Sequence, residues 1–131
     1  MGLELRGDEE EEFFKLLRIP CGRFVPPFLA AHQKEVAPQE FISKLLSLYS
    51  DAGFEFKKTT GERPDQIGVI LEFLAILKSD GREPPADLIR LITCPIKQFA
   101  EALGKATDHP LFKKVAVALA EMVESETVKI L

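Results

Sequence analysis

Apolar positions along the chain recur at helical spacing in separated blocks, and none alternates with period two for long enough to make a central strand. The first block, Phe13, Phe14, Leu16 and Leu17, follows the four carboxylates Glu9 to Glu12. This predicts a helix with its acids in the first turn, where the dipole favours them. Ile19 to Pro27 contains Pro20, Gly22, Pro26 and Pro27, too much punctuation for a helix, and predicts an ordered loop or extended arm. Pro27 is placed to open a short helix through Phe28, Ala31 and Gln33, and Pro38 to open the next, because a missing amide hydrogen costs nothing there. That next helix carries Phe41, Leu45, Leu48 and Ala52 in one row with Ile42, Leu46 and Tyr49 beside it, and stops at Gly53.

After a loop from Gly53 to Glu62, apolar residues between Ile67 and Leu77 surround a helix axis, broken only by Gly68 and Glu72. They predict a central, mostly buried helix that ends at Ser79-Asp80-Gly81. Pro84-Pro85 opens a short helix bearing Leu88, Ile89, Leu91 and Ile92, which Pro95 is expected to break. Ile96, Phe99, Ala100 and Leu103 then make another, ended by Gly104. The last starts near His109-Pro110 and runs through Leu111, Phe112, Val115, Ala116, Leu119, Met122 and Val123. The expectation is an all-α, helical-bundle-like fold of about six or seven helices, one domain over residues 1–131.

Composition narrows the function classes. The longest apolar run, Val115 to Ala120, is far short of a bilayer span, so no stable membrane insertion is expected. Met1 is followed by the acidic segment Asp8 to Glu12 instead of a positive stretch and an apolar core, so no secretory signal is expected and the chain reads as cytoplasmic. With 21 acids against 17 bases and no Lys/Arg block longer than two, nucleic acid lacks its electrostatic footprint. Cys21 and Cys94 are too far apart for metal-ligand spacing and form no disulfide framework, which leaves reduced thiols.

Catalytic chemistry is poorly supplied. There is no zincin motif, phosphate-cradling glycine loop or nucleophile elbow, and no residue is assigned to catalysis, a metal or a cofactor. An enzyme, the rival class, would have to join His109 and Asp108 with Glu62 or Asp65; alternatively Asp108 caps the final helix. His32 follows the short helix with no partner in sequence. The most polar stretch, Thr60 to Gln66, lies directly against the most apolar helix. Glu62 and Asp65 there either cap that helix or hold an Arg-bearing peptide through bidentate pairing. Glu72 is either on the exposed face or a paired buried acid. Phe24-Val25-Pro26-Pro27-Phe28 either belongs to the core or, with Leu16 and Leu17, lines a groove for an apolar peptide.

Taken in order, these segments resemble the TorD/DmsD/NarJ family of cytoplasmic chaperones for molybdenum-containing redox enzymes. Leu16-Leu17, then a Pro/Gly-containing loop and Val25-Pro26-Pro27-Phe28, is similar to the family's Leu-Phe pair before a proline-aromatic segment. Glu62-Arg63-Pro64-Asp65-Gln66 resembles its Glu-x-Pro-Asp-His signature, and Leu71-Glu72-Phe73-Leu74-Ala75 the helix that follows. Pro95 to Leu103 and His109-Pro110-Leu111-Phe112 are similar to its last two helices. Gln66 stands where the family usually has His, which removes a titratable group while the amide still donates and accepts hydrogen bonds. The chain is also shorter than usual for the family before Asp8, so one or two N-terminal helices are expected to be missing, leaving a face exposed or covered by a second subunit.

The resemblance implies a chaperone that binds the twin-arginine leader of a molybdopterin oxidoreductase, or its immature catalytic subunit, until the cofactor is inserted. Matched positions imply Leu16, Leu17, Pro27, Phe28, Pro64, Asp65 and Gln66 as leader contacts, with Glu62 added as a rim acid. On this reading Asp65 and Glu62 anchor the guanidinium end and Leu16, Leu17 and Phe28 receive the apolar stretch. An exposed ion pair is worth about 0–1 kcal/mol and a buried Leu or Phe about 1.5–3, so apolar contacts are expected to dominate affinity. The alternative is a helical interaction or assembly module, including a homodimer, with no leader recognition.

Overall fold

A computed structural model describes residues 7–18, 24–56 and 63–130. It contains five α-helices, α1 (Gly7–Leu17), α2 (Pro38–Asp51), α3 (Ile67–Ser79), α4 (Ala86–Ala106) and α5 (Pro110–Ile130), with a single 3-10 turn at Leu29–His32. The all-α class agrees with the periodicity. The helix number is five among the described residues, below the six or seven expected, because Pro95 does not break its helix and Pro27 opens only the 3-10 turn.

α4 explains the difference. Pro95 offers no N–H to the Leu91 carbonyl one turn back, a loss that ends many helices. Here the apolar seam continues straight through it: Ile89, Ile92, Ile96, Phe99 and Leu103 are buried at spacings of three and four, and the Pro95 ring is buried on the same side. On α5, Phe112, Ala116, Leu119 and Val123 repeat that spacing and face α4, forming the most extensive helix pair of the fold. Gly104 lies inside α4 and does not end it. Among the described residues positive φ is confined to Gly53 and Gly81, and a Cβ built on Gly104 would meet Ala116 Cβ at 3.7 Å, so this glycine marks where α5 passes close.

α3, expected to be central from its all-round apolar composition, is less buried than α4. It buries Ile70, Phe73, Leu74 and Leu77, but Ile67, Val69 and Leu71 are only half-buried and Ile76 is exposed. Glu72 is on the exposed side, which settles its two readings. α2 buries Phe41, Leu45 and Tyr49, begins at Pro38 and ends where Gly53 takes φ 89°, letting Phe54 N–H close back on Tyr49 O at 2.9 Å. Gly81 (φ 70°) ends α3 in the same way, with Arg82 N–H on Leu77 O at 2.8 Å.

The seam on α5 continues past Val123 to Glu126, an acid where an apolar residue is expected, and it is buried. Lys78 from α3 reaches its carboxylate at 2.5 Å and Lys129 at 3.5 Å. Burial alone would raise the Glu126 pKa, but the hydrogen bonds and charges of the two lysines together hold it below the ordinary value. The other end of the pair is tied to α1: the Thr107 hydroxyl donates to Glu12, and His109 Nε2 lies 3.1 Å from Asp8.

Candidate peptide-binding site

Two segments far apart in sequence are joined by backbone pairing. Leu29 N–H donates to Asp65 O at 2.9 Å and Ile67 N–H to Pro27 O at 2.9 Å, so Phe28 and Gln66 form an antiparallel bridge. The proline-aromatic arm and the Pro64-Asp65-Gln66 signature therefore meet. α1 approaches from below, since Val25 N–H donates to Leu16 O at 2.6 Å. The arm is pinned on its other side by His32. Its Nε2 donates to Pro26 O at 2.6 Å, and its ring stands edge-on to Phe99 of α4 at 5.4 Å.

Asp65 organises this junction. The residue is completely buried, and both carboxylate oxygens are in use. Oδ1 accepts Arg63 Nε at 3.0 Å, while Oδ2 accepts Arg63 Nη2 at 2.9 Å and the Ala30 backbone N–H at 3.1 Å. Asp65 thus caps the 3-10 turn across the junction, not the start of its own helix α3; the α3 N-cap position is Gln66, whose side chain makes no capping bond. The Arg63 guanidinium lies over the Phe28 ring at 4.3 Å from its centroid. Below, the buried Tyr49 hydroxyl donates to Pro64 O at 2.9 Å, and burial together with the Asp65 charge raises its pKa well above the usual phenol value.

The expected site residues divide into two sets. Leu16, Pro64 and Asp65 are buried, whereas Leu17, Pro27, Phe28 and Gln66 are half-buried and each keeps surface that a peptide can reach. Leu16 is core, with no exposed surface to line a groove. Asp65 as found is no free acid, because its fork is filled by Arg63. Glu62 lies outside the described residues, as does Cys21.

A cleft of about 770 Å³ opens on the far side of the 3-10 turn. Its apolar floor includes Ala31, Val36, Phe41, Leu91, Pro95 and Ala102. The Gln33 side chain braces one wall by donating to Val36 O at 2.9 Å and accepting from Val36 N–H at 3.1 Å. Lys44 pairs with Glu40 and Arg90 with Asp87, which leaves the rim close to neutral.

Two described members of the enzyme arrangement, His109 and Asp65, are engaged elsewhere, and its alternative acid, Glu62, lies outside the described residues. His109 is the residue before α5, its Nδ1 accepts Leu111 N–H at 3.2 Å, and its protonated Nε2 therefore donates to Asp8. The expected capping role of Asp108 is filled instead by His109 and by the Thr107 hydroxyl, which accepts His109 N–H at 3.0 Å. Asp65 is spent on Arg63 and Ala30. No group of three or more potential metal ligands occurs among the described residues, and none of their helices is long and apolar enough to cross a membrane.

Sequence reasoning missed Arg63 and Glu126. Nothing in the sequence connects Arg63 with a ring 35 positions earlier, but Glu126 was detectable: the spacing 112, 116, 119, 123 leads directly to it. No curated protein and no solved structure matches the chain. A family model does: that of the nitrate reductase delta subunit matches residues 3–108, most of the chain and the whole of the junction. The chain belongs to this family of molybdoenzyme maturation chaperones.

Proposed function

We propose that the chain, taken as one helical unit over residues 1–131, is a cytoplasmic, system-specific chaperone for a molybdopterin oxidoreductase. It binds the twin-arginine leader of the catalytic subunit, or the immature subunit itself, during cofactor insertion and before export. The observation that carries this reading is the backbone pairing that joins Pro27-Phe28 to Pro64-Asp65-Gln66. Of the eight expected contacts, Leu17, Pro27, Phe28 and Gln66 meet the peptide first, the buried Leu16 and Pro64 hold them in place, Asp65 lies behind Arg63 as the anchor for the guanidinium end, and Glu62 is the second anchoring acid. The apolar part of the leader continues from Phe28 over the 3-10 turn into the cleft floored by Val36, Phe41, Leu91 and Pro95. An apolar floor with a neutral rim suits such a segment, laid in as a helix with one face down.

Phe28 is half-buried, so truncating it removes roughly half of a full aromatic contact, or about 1–1.5 kcal/mol and about ten-fold in affinity. Isothermal titration with a synthetic leader tests this. Phe28→Ala should weaken binding about ten-fold, and an unchanged affinity would remove Phe28 from the site.

A further inference from the structure

The Asp65 carboxylate, assigned above to a client's arginine, already holds one. Arg63 gives it two parallel N–H···O bonds at 3.0 and 2.9 Å and lays its guanidinium over the Phe28 ring. A carboxylate fork beside an aromatic face is the full recognition set for a guanidinium. This site is complete, and its occupant comes from the chain itself. The occupant is also the part that can leave: the Arg63 side chain is 44% exposed, whereas that of Asp65 is 0%. When Arg63 swings out, the Ala30 N–H still holds Oδ2, so the carboxylate keeps its place at the junction.

We propose that Arg63 is an internal stand-in for the client's arginine, and that the incoming guanidinium displaces it from Asp65 and Phe28. This rests on the leader-binding reading above and adds an exchange step to it. Replacing one guanidinium by another at the same fork leaves the number of hydrogen bonds unchanged, so a lone arginine gains little. Net affinity then comes from the apolar stretch behind the arginine. Only a segment that carries both features displaces Arg63 and stays bound, which makes the contact a filter against ordinary basic peptides.

Arg63→Ala empties the fork, and Arg63→Lys puts a point charge where a planar donor pair was. Each variant and the wild type is titrated with a synthetic leader and with the same leader carrying Lys in place of both arginines. Melting temperatures are also measured with millimolar L-argininamide and with L-lysinamide. The wild type should prefer the arginine leader only weakly, and Arg63→Ala should prefer it by about ten-fold or more, the scale of a charge-assisted hydrogen-bond pair no longer contested. L-argininamide should raise the melting temperature of Arg63→Ala and not of the wild type, with L-lysinamide inert on both. An unchanged arginine preference in both variants, with leader binding intact, overturns the exchange and leaves the leader reading standing. If no protein binds leader but L-argininamide still stabilises Arg63→Ala, the guanidinium site stands and the leader reading falls. Should Arg63→Ala fail to fold, Arg63→Lys decides alone: a raised arginine preference supports the exchange, and an unchanged one overturns it.

Discussion

Asp65→Asn keeps the shape of the side chain and removes its charge, which isolates what the carboxylate contributes to the junction. The amide oxygen can take the place of Oδ2, where it accepts from both Ala30 N–H and Arg63 Nη2, or that of Oδ1, where it accepts from Arg63 Nε alone. In the Oδ2 place it keeps the bonds from Ala30 and Arg63 Nη2 and turns an N–H₂ donor toward Arg63 Nε. The carboxylate charge and the Nε bond are then lost, and because Arg63 is 44% exposed the usual value is discounted to about 1–2 kcal/mol. In the Oδ1 place it leaves the Ala30 N–H unpaired in a buried place, at a cost of about 1–3 kcal/mol. Either way the loss is about 1–3 kcal/mol, a large share of the 5–15 kcal/mol typical of a domain. Urea unfolding followed by circular dichroism should show a lower midpoint with an unchanged slope. Asp65→Ala, which can keep neither bond, should lose more. If Asp65→Asn costs less than about 0.5 kcal/mol, the range of an ordinary surface change, Asp65 is not what holds the arm to the signature segment.

Further outcomes follow from the rest of the fold. Glu126→Gln should lower stability by about 1–2 kcal/mol at neutral pH, a discounted value because Lys78 is half exposed. Since the folded pKa of Glu126 lies below the unfolded one, its contribution is present above the ordinary carboxylate range and lost as pH falls through the folded value; variant and wild type should converge only at pH well below the ordinary carboxylate range. Glu126→Leu, which completes the apolar seam and releases Lys78 to water, should cost less than Glu126→Gln in the same melt. Gly81→Ala should cost about 1 kcal/mol through its φ of 70° alone, while Gly68→Ala, inside α3 with nothing within 4 Å, should raise stability by about 0.5–1 kcal/mol. Leader affinity should fall only modestly between low and moderate salt, and a steep loss would mean that charge, not apolar contact, carries the binding.

Where one face of a helix decides its burial, the sequence was easy to read. Phe41, Leu45 and Tyr49 on α2 and Phe112 to Val123 on α5 are buried as their spacing requires. Spacing misleads where a local rule meets a long-range one. Pro95 is a helix breaker by its missing N–H, yet the seam on both sides of it packs against α5 and keeps α4 whole. α3 is apolar all round, but composition alone does not say which neighbours cover it; α4, with a single sharp stripe, is the more buried helix. The meeting of arm and signature was implied by family likeness and could not be derived from spacing, because it rests on backbone bonds between residues 27–29 and 65–67. For the same reason Asp65 reads in sequence as a cap on its own helix, while its partner is the amide of Ala30.

Hydrogen exchange measured by mass spectrometry, with and without a saturating synthetic leader, reaches the central claim most directly. Exchange should slow in residues 24–36 and 63–67 and in the cleft-facing part of α4 around residues 90–98, with the outer face of α5 unchanged. Slowing confined to α5, or none anywhere under saturating leader, would contradict that claim.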